Sequence, residues 1–480
     1  MDNTKEKVIT NAIWRIGERI GASLVTFIVS VVLARMLSPK EYGVIAIVIV
    51  FTTILQVFVD SGLGKSLIQK KDATDLDFST VLIFNVISSI VLYILLFLFA
   101  PYIESFFSIP GLCSLIRVSG TLLVISGIKN VIQSYIMRNM QFKLFFFATL
   151  VGTILSGVVA LVMAYYGFGV WALVAQLIIN PLFDTLFLCF LVDWKPSLSF
   201  SFSRFRLLFS FGWKLLLVDL LNEFFNSIRT FFIGKFYTTS DLGCYENGRK
   251  LPTSIYSNLD SALRSVVFPV LSMEQSDLIK TKQYMLKMIK ICCFVTTPIL
   301  FGMAACSENI VRLIWTDKWI EAVPYMQISC AVWSLNSIQA LNQQVILAQG
   351  RSDICLKIEI INKCLVFVTL MFAIKYGVMA IALSQLIATF LGLFTNLIPN
   401  IKLINCSMYE QFKSCSKEFA LAFIMAICVY LIGKINMDIK INLILQIIAG
   451  VIIYMVPAML LKFDGYTTIS NFLKEKVLRK

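Results

Sequence analysis

Long apolar segments recur along almost the whole chain, and each is long enough to cross a membrane as a helix. In lipid the backbone must satisfy its own hydrogen bonds, so the structures that span a bilayer are helices and closed barrels. A helical span needs about 17–25 mostly apolar residues. Segments of this kind fall at 12–33, 44–64, 78–100, 112–134, 145–166, 170–192, 207–231, 251–269, 285–305, 322–347, 354–374, 378–399, 419–433 and 441–461. We therefore predict an all-α membrane protein with about fourteen transmembrane helices, of which the seventh and eighth are interrupted by charge.

Composition and charge support this class. Of 480 residues, 58% are hydrophobic and 15% are charged. Most lysines and arginines outside the predicted spans fall in alternate loops, which places both termini in the cytoplasm by the positive-inside rule. The net charge of +14 then reflects topology and contact with anionic lipids, and we expect no nucleic-acid partner. No small-residue cleavage pattern follows the first span, so we expect that helix to be retained.

The chain lacks the usual residue patterns of cofactor chemistry. It contains no histidine, and its twelve cysteines are scattered without ligand spacing. It has no Walker sequence, no GxGxxG motif and no Ser-His-Asp set. We therefore expect neither a metal nor a cofactor, and we do not expect an enzyme.

Two similarities within the sequence indicate an internal repeat. Residues 35–43 (RMLSPKEYG) match 235–243 (KFYTTSDLG), and the same offset aligns 60–63 with 260–263. An offset of six helices preserves membrane orientation, so the halves would be parallel repeats about an axis along the membrane normal. We predict an N-terminal six-helix lobe at 1–200, a second at 201–400, and two additional helices with a tail at 401–480.

The first match also predicts local structure. Residues 38–41 and 238–241 have the Ser/Thr and Glu/Asp spacing of a turn that caps the next helix. Gly43 and Gly243 follow, in the first turns of the second and eighth spans, where the absence of a side chain permits close backbone approach. We interpret these turns as structural.

Four basic residues predict an anion site. Arg15 and Arg19 share one face of the first span with Glu18. A charge at mid-membrane costs roughly 2.5–3.5 kcal/mol, so it normally faces a polar lumen; the alternative is that the arginines extend to the headgroups. Lys129 and Arg264 are predicted at the same depth. Together these cations would form a basic pocket suited to a phosphate or diphosphate.

The second half carries acidic residues where the first carries Arg19. Asp219 and Glu223 lie four residues apart on one helical face, and two desolvated carboxylates could take up and release protons. Glu18 is a further candidate for ion coupling. The alternative pairs Asp219 and Glu223 with Lys214 or Arg229 in fixed ion pairs.

The chain resembles the polysaccharide-repeat flippases, the Wzx-type transporters of the multidrug/oligosaccharidyl-lipid/polysaccharide exporter superfamily. The resemblance spans nearly the whole sequence and rests on Trp14-Arg15 and on the segments 33–43 (LARMLSPKEYG), 60–64 (DSGLG), 67–72 (LIQKKD) and 169–173 (GVWAL).

The resemblance implies two lobes around a central cavity in the bacterial inner membrane. It also implies transfer of an undecaprenyl-diphosphate-linked oligosaccharide, an O-antigen or capsule repeat, from the cytoplasmic to the outer leaflet by ion-coupled alternating access. By placement, Arg15, Arg19 and Arg264 would surround the diphosphate. Implied partners are the lipid-linked substrate and membrane lipids, with polysaccharide polymerase and ligase machinery as further candidates.

The sequence leaves three other functions open. A cation-coupled multidrug exporter shares the architecture but should have an acidic or aromatic cavity, which Asp219 and Glu223 favour and the arginines oppose. A flippase for peptidoglycan precursors is a nearer alternative. A membrane subunit without transport would not need charged residues in so many spans.

Overall fold

A computed structural model describes residues 2–197, 199–273, 277–468 and 470–471. These residues form helices joined by short loops, and they contain no β-strand. The helices are α1 Asp2–Met36, α2 Pro39–Asp60, α3 Leu63–Gln69, α4 Asp75–Phe107, α5 Leu112–Ser119, α6 Thr121–Arg138, α7 Phe142–Tyr165, α8 Val170–Leu191, α9 Phe202–Phe236, α10 Thr239–Met273, α11 Leu278–Ala305, α12 Ser307–Ile314, α13 Val323–Ala348, α14 Ser352–Ala373, α15 Val378–Ile404, α16 Met408–Gly433 and α17 Ile439–Leu460.

Within the described residues, ten segments are long and apolar enough to cross a membrane. They comprise α1, α2 with α3, α4, α5 with α6, α7, α8, α11, α15, α16 and α17. The long helices α9, α10, α13 and α14 coincide with the predicted seventh, eighth, tenth and eleventh spans but are more polar. Charged side chains in α9 and α14, and a series of amides in α13, lower their hydropathy. The all-helical membrane class is confirmed, and the number fourteen stays a prediction.

The chain divides into two compact units, Met1–Gly243 and Cys244–Lys480. In the first unit α7 packs between α1 and α8, α4 packs on α6, and α9 packs on α2, α3 and α4. In the second unit α11 packs on α13 and α16, α15 joins α13 to α14, and α17 packs on α16. Lobe boundaries at residues 200 and 400 stay predictions.

The helix bounds follow the repeat found in the sequence. Helices α1 and α9 both have 35 residues, and α2 and α10 begin after equivalent turns. In the first turn the backbone N–H and hydroxyl of Ser38 donate to the Glu41 carboxylate at 2.6 and 2.9 Å. In the second, the Thr238 hydroxyl donates to Asp241 at 2.6 Å. The predicted capping turns are therefore confirmed in both repeats.

The two repeat glycines mark a backbone contact inside the first unit. A Cβ atom on Gly43 would lie 1.7 Å from the carbonyl oxygen of Thr239. A Cβ atom on Gly243 would lie 1.9 Å from the carbonyl oxygen of Pro39. Each repeat thus places its glycine against the capping turn of the other, and any side chain at either position would collide with backbone. The predicted close approach is confirmed.

Buried amides join α13 to α15 in the second unit. Asn400 donates to the side chain of Asn342 at 2.7 Å, and Asn396 donates to Gln339 at 3.2 Å. All four side chains are buried. Helices that associate in lipid gain little from hydrophobic burial, so hydrogen bonds between polar side chains and close packing hold them together. These amides explain why α13 is polar although its residues are largely buried.

Candidate substrate and ion sites

The charged face of α1 packs partly against α7. The Arg15 guanidinium donates to the Glu18 carboxylate at 2.8 Å and lies 5.1 Å from the centre of the Phe145 ring. The ion pair and the aromatic face both stabilise a cation in an apolar environment. Arg19 is exposed, and no described residue forms an ion pair with it. Arg15 and Glu18 therefore form an ion pair, whereas Arg19 is an accessible cation.

Lys129 has a buried partner on a neighbouring helix. Its ammonium lies 2.6 Å from Asp184 Oδ2, and the two side chains are 19% and 2% exposed. Asp184 Oδ1 has no hydrogen-bond partner among the described residues. Asp184 lies where α8 packs closely on α7, because Gly152 of α7 lies against the backbone of Asn180 and Asp184. Removing either charge of the Lys129–Asp184 pair would leave the other buried without compensation.

Arg264 occupies the second unit, one helical turn from Asp260. Arg264 Nε donates to Asp260 Oδ2 at 2.6 Å, as the spacing of two opposite charges four residues apart on one helix predicts. The Arg264 side chain remains 42% exposed. A small cavity beside the pair is lined by Tyr256, Ser337 and Gln344. The cavity is lined by the charged pair and by neutral hydrogen-bonding groups, and it has room for about one water molecule.

The acidic residues of α9 have different partners from those suggested by the sequence. Asp219 Oδ2 lies 2.6 Å from Lys65 Nζ on α3, whereas the sequence suggested Lys214 or Arg229. Glu223 accepts a hydrogen bond from the Ser227 hydroxyl at 3.2 Å. The Lys65–Asp219 pair is partly exposed, so water can reach it. The two carboxylates therefore have distinct environments although they lie on one face.

Helix α3 makes the Lys65–Asp219 pair possible. Gly62 has φ +65° and precedes this short helix, and a Cβ atom there would lie 2.4 Å from the Gly212 carbonyl oxygen. The backbone of α9 thus passes directly beside the start of α3. Asp60 at the end of α2 also lies within electrostatic range of Lys65 and Asp219. The group contains one ammonium and two carboxylates, which is an arrangement able to exchange a proton or cation.

Three of the four predicted cations therefore already have a carboxylate partner. Arg15 contacts Glu18, Lys129 contacts Asp184, and Arg264 contacts Asp260. A phosphate group is a stronger bidentate partner for guanidinium than a single carboxylate contact. These three cations are neutralised within the protein, whereas no described residue forms an ion pair with Arg19. Among the described residues no group of three or more His, Cys, Asp and Glu side chains is placed to hold a metal ion.

Sequence reasoning missed two of these relationships. Asp184 follows Pro181 in the sequence, yet its cation is Lys129, on another helix. Lys65 falls outside the predicted spans, yet it pairs with a residue 154 positions later. Helical spacing reveals partners within one helix, whereas both of these pairs depend on which helices become neighbours.

Comparison with known families identifies the family of this chain. Residues 32–324 match the family model described as polysaccharide biosynthesis protein. The chain belongs to this family. The matched region contains both capping turns, both repeat glycines and four of the seven predicted site residues.

Several curated proteins are similar over most of their length. The teichuronic acid biosynthesis protein TuaB of Bacillus subtilis is 23% identical over 489 residues, which covers 100% of this chain and 99% of TuaB. The lipopolysaccharide biosynthesis protein WzxC of Escherichia coli is 22% identical, covering 85% and 84%. The succinoglycan biosynthesis transport protein ExoT of Rhizobium meliloti is 23% identical, covering 66% and 65%.

Solved structures establish the fold. The lipid II flippase MurJ in an inward closed conformation superposes with a TM-score of 0.77 at 15% identity, covering 94% of this chain and 99% of MurJ. An inward-facing multidrug resistance MATE transporter of the MOP superfamily gives a TM-score of 0.62 at 14% identity, covering 82% and 99%. The chain is thus a multi-pass membrane protein with the fold of these two transporters. Its relatives are named for polysaccharide biosynthesis, and ExoT is also named for transport.

Proposed function

We propose that this protein is a flippase that moves undecaprenyl-diphosphate-linked oligosaccharide repeat units from the cytoplasmic to the outer leaflet of a bacterial inner membrane. The family match carries the proposal, because its relatives are named for the synthesis or transport of surface polysaccharides. The likeness to MurJ supports a fold able to carry lipid-linked cargo.

The diphosphate would bind at Arg15, Arg19, Lys129 and Arg264. Arg19 is the first contact in this proposal, since it is exposed and no described residue pairs with it. Binding at the other three would release Glu18, Asp184 and Asp260 from their cations. Substrate binding would thus change the charge state of groups within each unit, which offers a physical route from cargo to conformation.

Ion coupling would use Glu18, Asp219 and Glu223. Asp219 shares its environment with Lys65 and Asp60, so that a proton or cation can be exchanged against an existing ion pair. Glu18 becomes available when Arg15 turns to the phosphate. A proton or sodium gradient would then return the empty carrier to its cytoplasm-open state.

The proposal includes the remaining architecture predicted from the sequence. All fourteen long helices would cross the membrane, with both termini in the cytoplasm. Two six-helix lobes related by a pseudo-two-fold axis along the membrane normal would alternate access, and the last two helices would be additional. Membrane lipids surround the carrier, and polysaccharide polymerase and ligase machinery would receive its product.

Arg19→Ala tests this proposal in cells that lack the chromosomal copy. We expect loss of polymer export and accumulation of lipid-linked repeats, with the variant still present in the membrane. Arg351→Ala is the matched control, because Arg351 is an exposed arginine whose pair with Asp353 lies outside the proposed site. Normal polymer output from Arg19→Ala would remove this residue from the site.

One observation favours a second candidate, a cation-coupled multidrug exporter. The fold is shared with a MATE transporter, and Asp60 and Asp219 supply acidic groups beside a partly exposed ion pair. Under this alternative, deletion would lower drug tolerance and leave polymer output unchanged. The same deletion strain therefore separates the two candidates.

A further inference from the structure

Glu418 is a buried carboxyl in α16, outside every site described above. Its residue surface is 3% exposed, and Oε2 has no hydrogen-bond partner among the described residues. No residue in the described part of the chain forms an ion pair with it. A carboxylate in an apolar interior is strongly disfavoured unless a cation or a proton neutralises it. Ionisable residues within spans are rare and normally have a function.

The surroundings of Glu418 come from three elements. Helix α11 contributes Cys293 and, nearer its beginning, Lys290; α16 itself contributes Cys415 and Lys417. Tyr454 of α17 faces the same region, and its hydroxyl donates to the Phe294 carbonyl at 3.1 Å. The Cys415 thiol donates to the carbonyl oxygens of Gln411 and Phe412 at 3.6 and 3.4 Å. The Glu418 carboxyl therefore faces two thiols and a tyrosine whose hydroxyl already donates a hydrogen bond to a backbone carbonyl.

These neighbours favour a proton over a metal cation. Hard cations require several oxygen ligands, whereas two of the nearest groups here are thiols. Lys290 does not neutralise the carboxyl, because its ammonium lies 2.5 Å from Asp464 Oδ2 in a separate pair. That pair is at the surface, with the Asp464 side chain 58% exposed. The charges of Lys290 and Asp464 act on Glu418, as does that of Lys417.

We propose that Glu418 is a proton-binding site of the C-terminal helices, loaded from the membrane face at which Lys290 and Asp464 lie and used in the transport cycle. Its carboxylate takes a proton from water, becomes a neutral carboxylic acid, and returns the proton when the packing of α11, α16 and α17 changes. The role in the cycle rests on the function proposed above, whereas the proton binding does not.

Infrared titration of purified protein in lipid nanodiscs tests the proton directly. Wild type should show the carbonyl band of a protonated carboxylic acid that persists to neutral pH. Glu418→Gln, which resembles the protonated form in size and charge, should lose this band. Glu410→Gln is the control on the same helix, since Glu410 is exposed to solvent, pairs with Lys282, and caps the helix in a box that accepts glutamine; it should keep the band.

Carbodiimide labelling and polymer export complete the test of Glu418. A folded Glu418→Gln protein that retains the band overturns the proposal. If that variant does not fold, dicyclohexylcarbodiimide labelling of wild type decides, because the reagent attacks protonated carboxyls in apolar surroundings; an adduct at Glu418 by mass spectrometry supports the site and its absence overturns it. Export should fall in Glu418→Gln and not in Glu410→Gln, and unchanged export in Glu418→Gln overturns the role in the cycle. A wild type without export would refute the proposed function and leave the infrared result intact.

Discussion

At the scale of single residues, the molecule neutralises most of its intramembrane charges in pairs. Lys129–Asp184 joins two helices, Arg264–Asp260 lies along one, and Lys65–Asp219 joins α3 to α9. These pairs differ in exposure, and so they differ in the free energy that is needed to separate the two charges. The buried Lys129–Asp184 pair costs the most free energy to break, whereas water can reach the partly exposed pairs.

The buried pair should show strong coupling in stability. Lys129→Met leaves Asp184 uncompensated, and Asp184→Asn leaves the ammonium in the same position. Each should destabilise the protein by about 3–5 kcal/mol, whereas the double variant should recover much of the loss. Thermal unfolding of purified variants measures this cycle. Additive losses in the double variant would show that the two charges do not interact.

Residue partners were predictable where they lie on one helix. The spacing of Asp260 and Arg264 predicted their contact, and the repeat predicted the turns at Ser38 and Thr238. The partners of Asp184 and Asp219 were not predictable, because each is a cation on another helix. Glu418 was missed for a related reason: it lies in a span whose neighbours, α11 and α17, could not be assigned from one sequence.

At the scale of elements, the equivalent glycines determine how α2 meets the start of α10. The approach leaves no space for a β-carbon, since carbonyl oxygens of the opposite turn occupy that position. The sequence predicted close backbone approach at both glycines, but not that each glycine meets the capping turn of the other repeat. It did not predict the short helix α3, which begins at the end of an apolar segment and follows Gly62, a residue with positive φ.

Gly43→Ala should therefore be poorly tolerated. The new methyl group would overlap the Thr239 carbonyl, and overpacking of this kind costs about 1–3 kcal/mol or more. We expect reduced folded protein and a lower unfolding temperature by fluorescence-detected size exclusion. Gly21→Ala is the control, because its nearest neighbour is a Leu150 methyl group at 3.5 Å, an ordinary contact. Equal stability of both variants would contradict the backbone contact.

At the scale of the whole molecule, charge distribution predicts orientation. The loops rich in lysine and arginine should lie in the cytoplasm, together with both termini. Reporter fusions at the N-terminus and after Phe463 should give cytoplasmic signals, while a fusion between α1 and α2 should report the outside. Opposite signals at the termini would require an odd number of spans. They would also exclude the prediction that all fourteen long helices cross the membrane.

The central claim is most directly tested by flipping in a purified system. Proteoliposomes containing the protein would be given a diphosphate-linked oligosaccharide lipid in the inner leaflet, and a lectin outside would report its arrival. Wild type should expose the sugar faster than protein-free vesicles, Arg351→Ala should match wild type, and Arg19→Ala should match protein-free vesicles. Sugar exposure by wild type at the protein-free rate, under an imposed proton or sodium gradient of either direction, would contradict the flippase account.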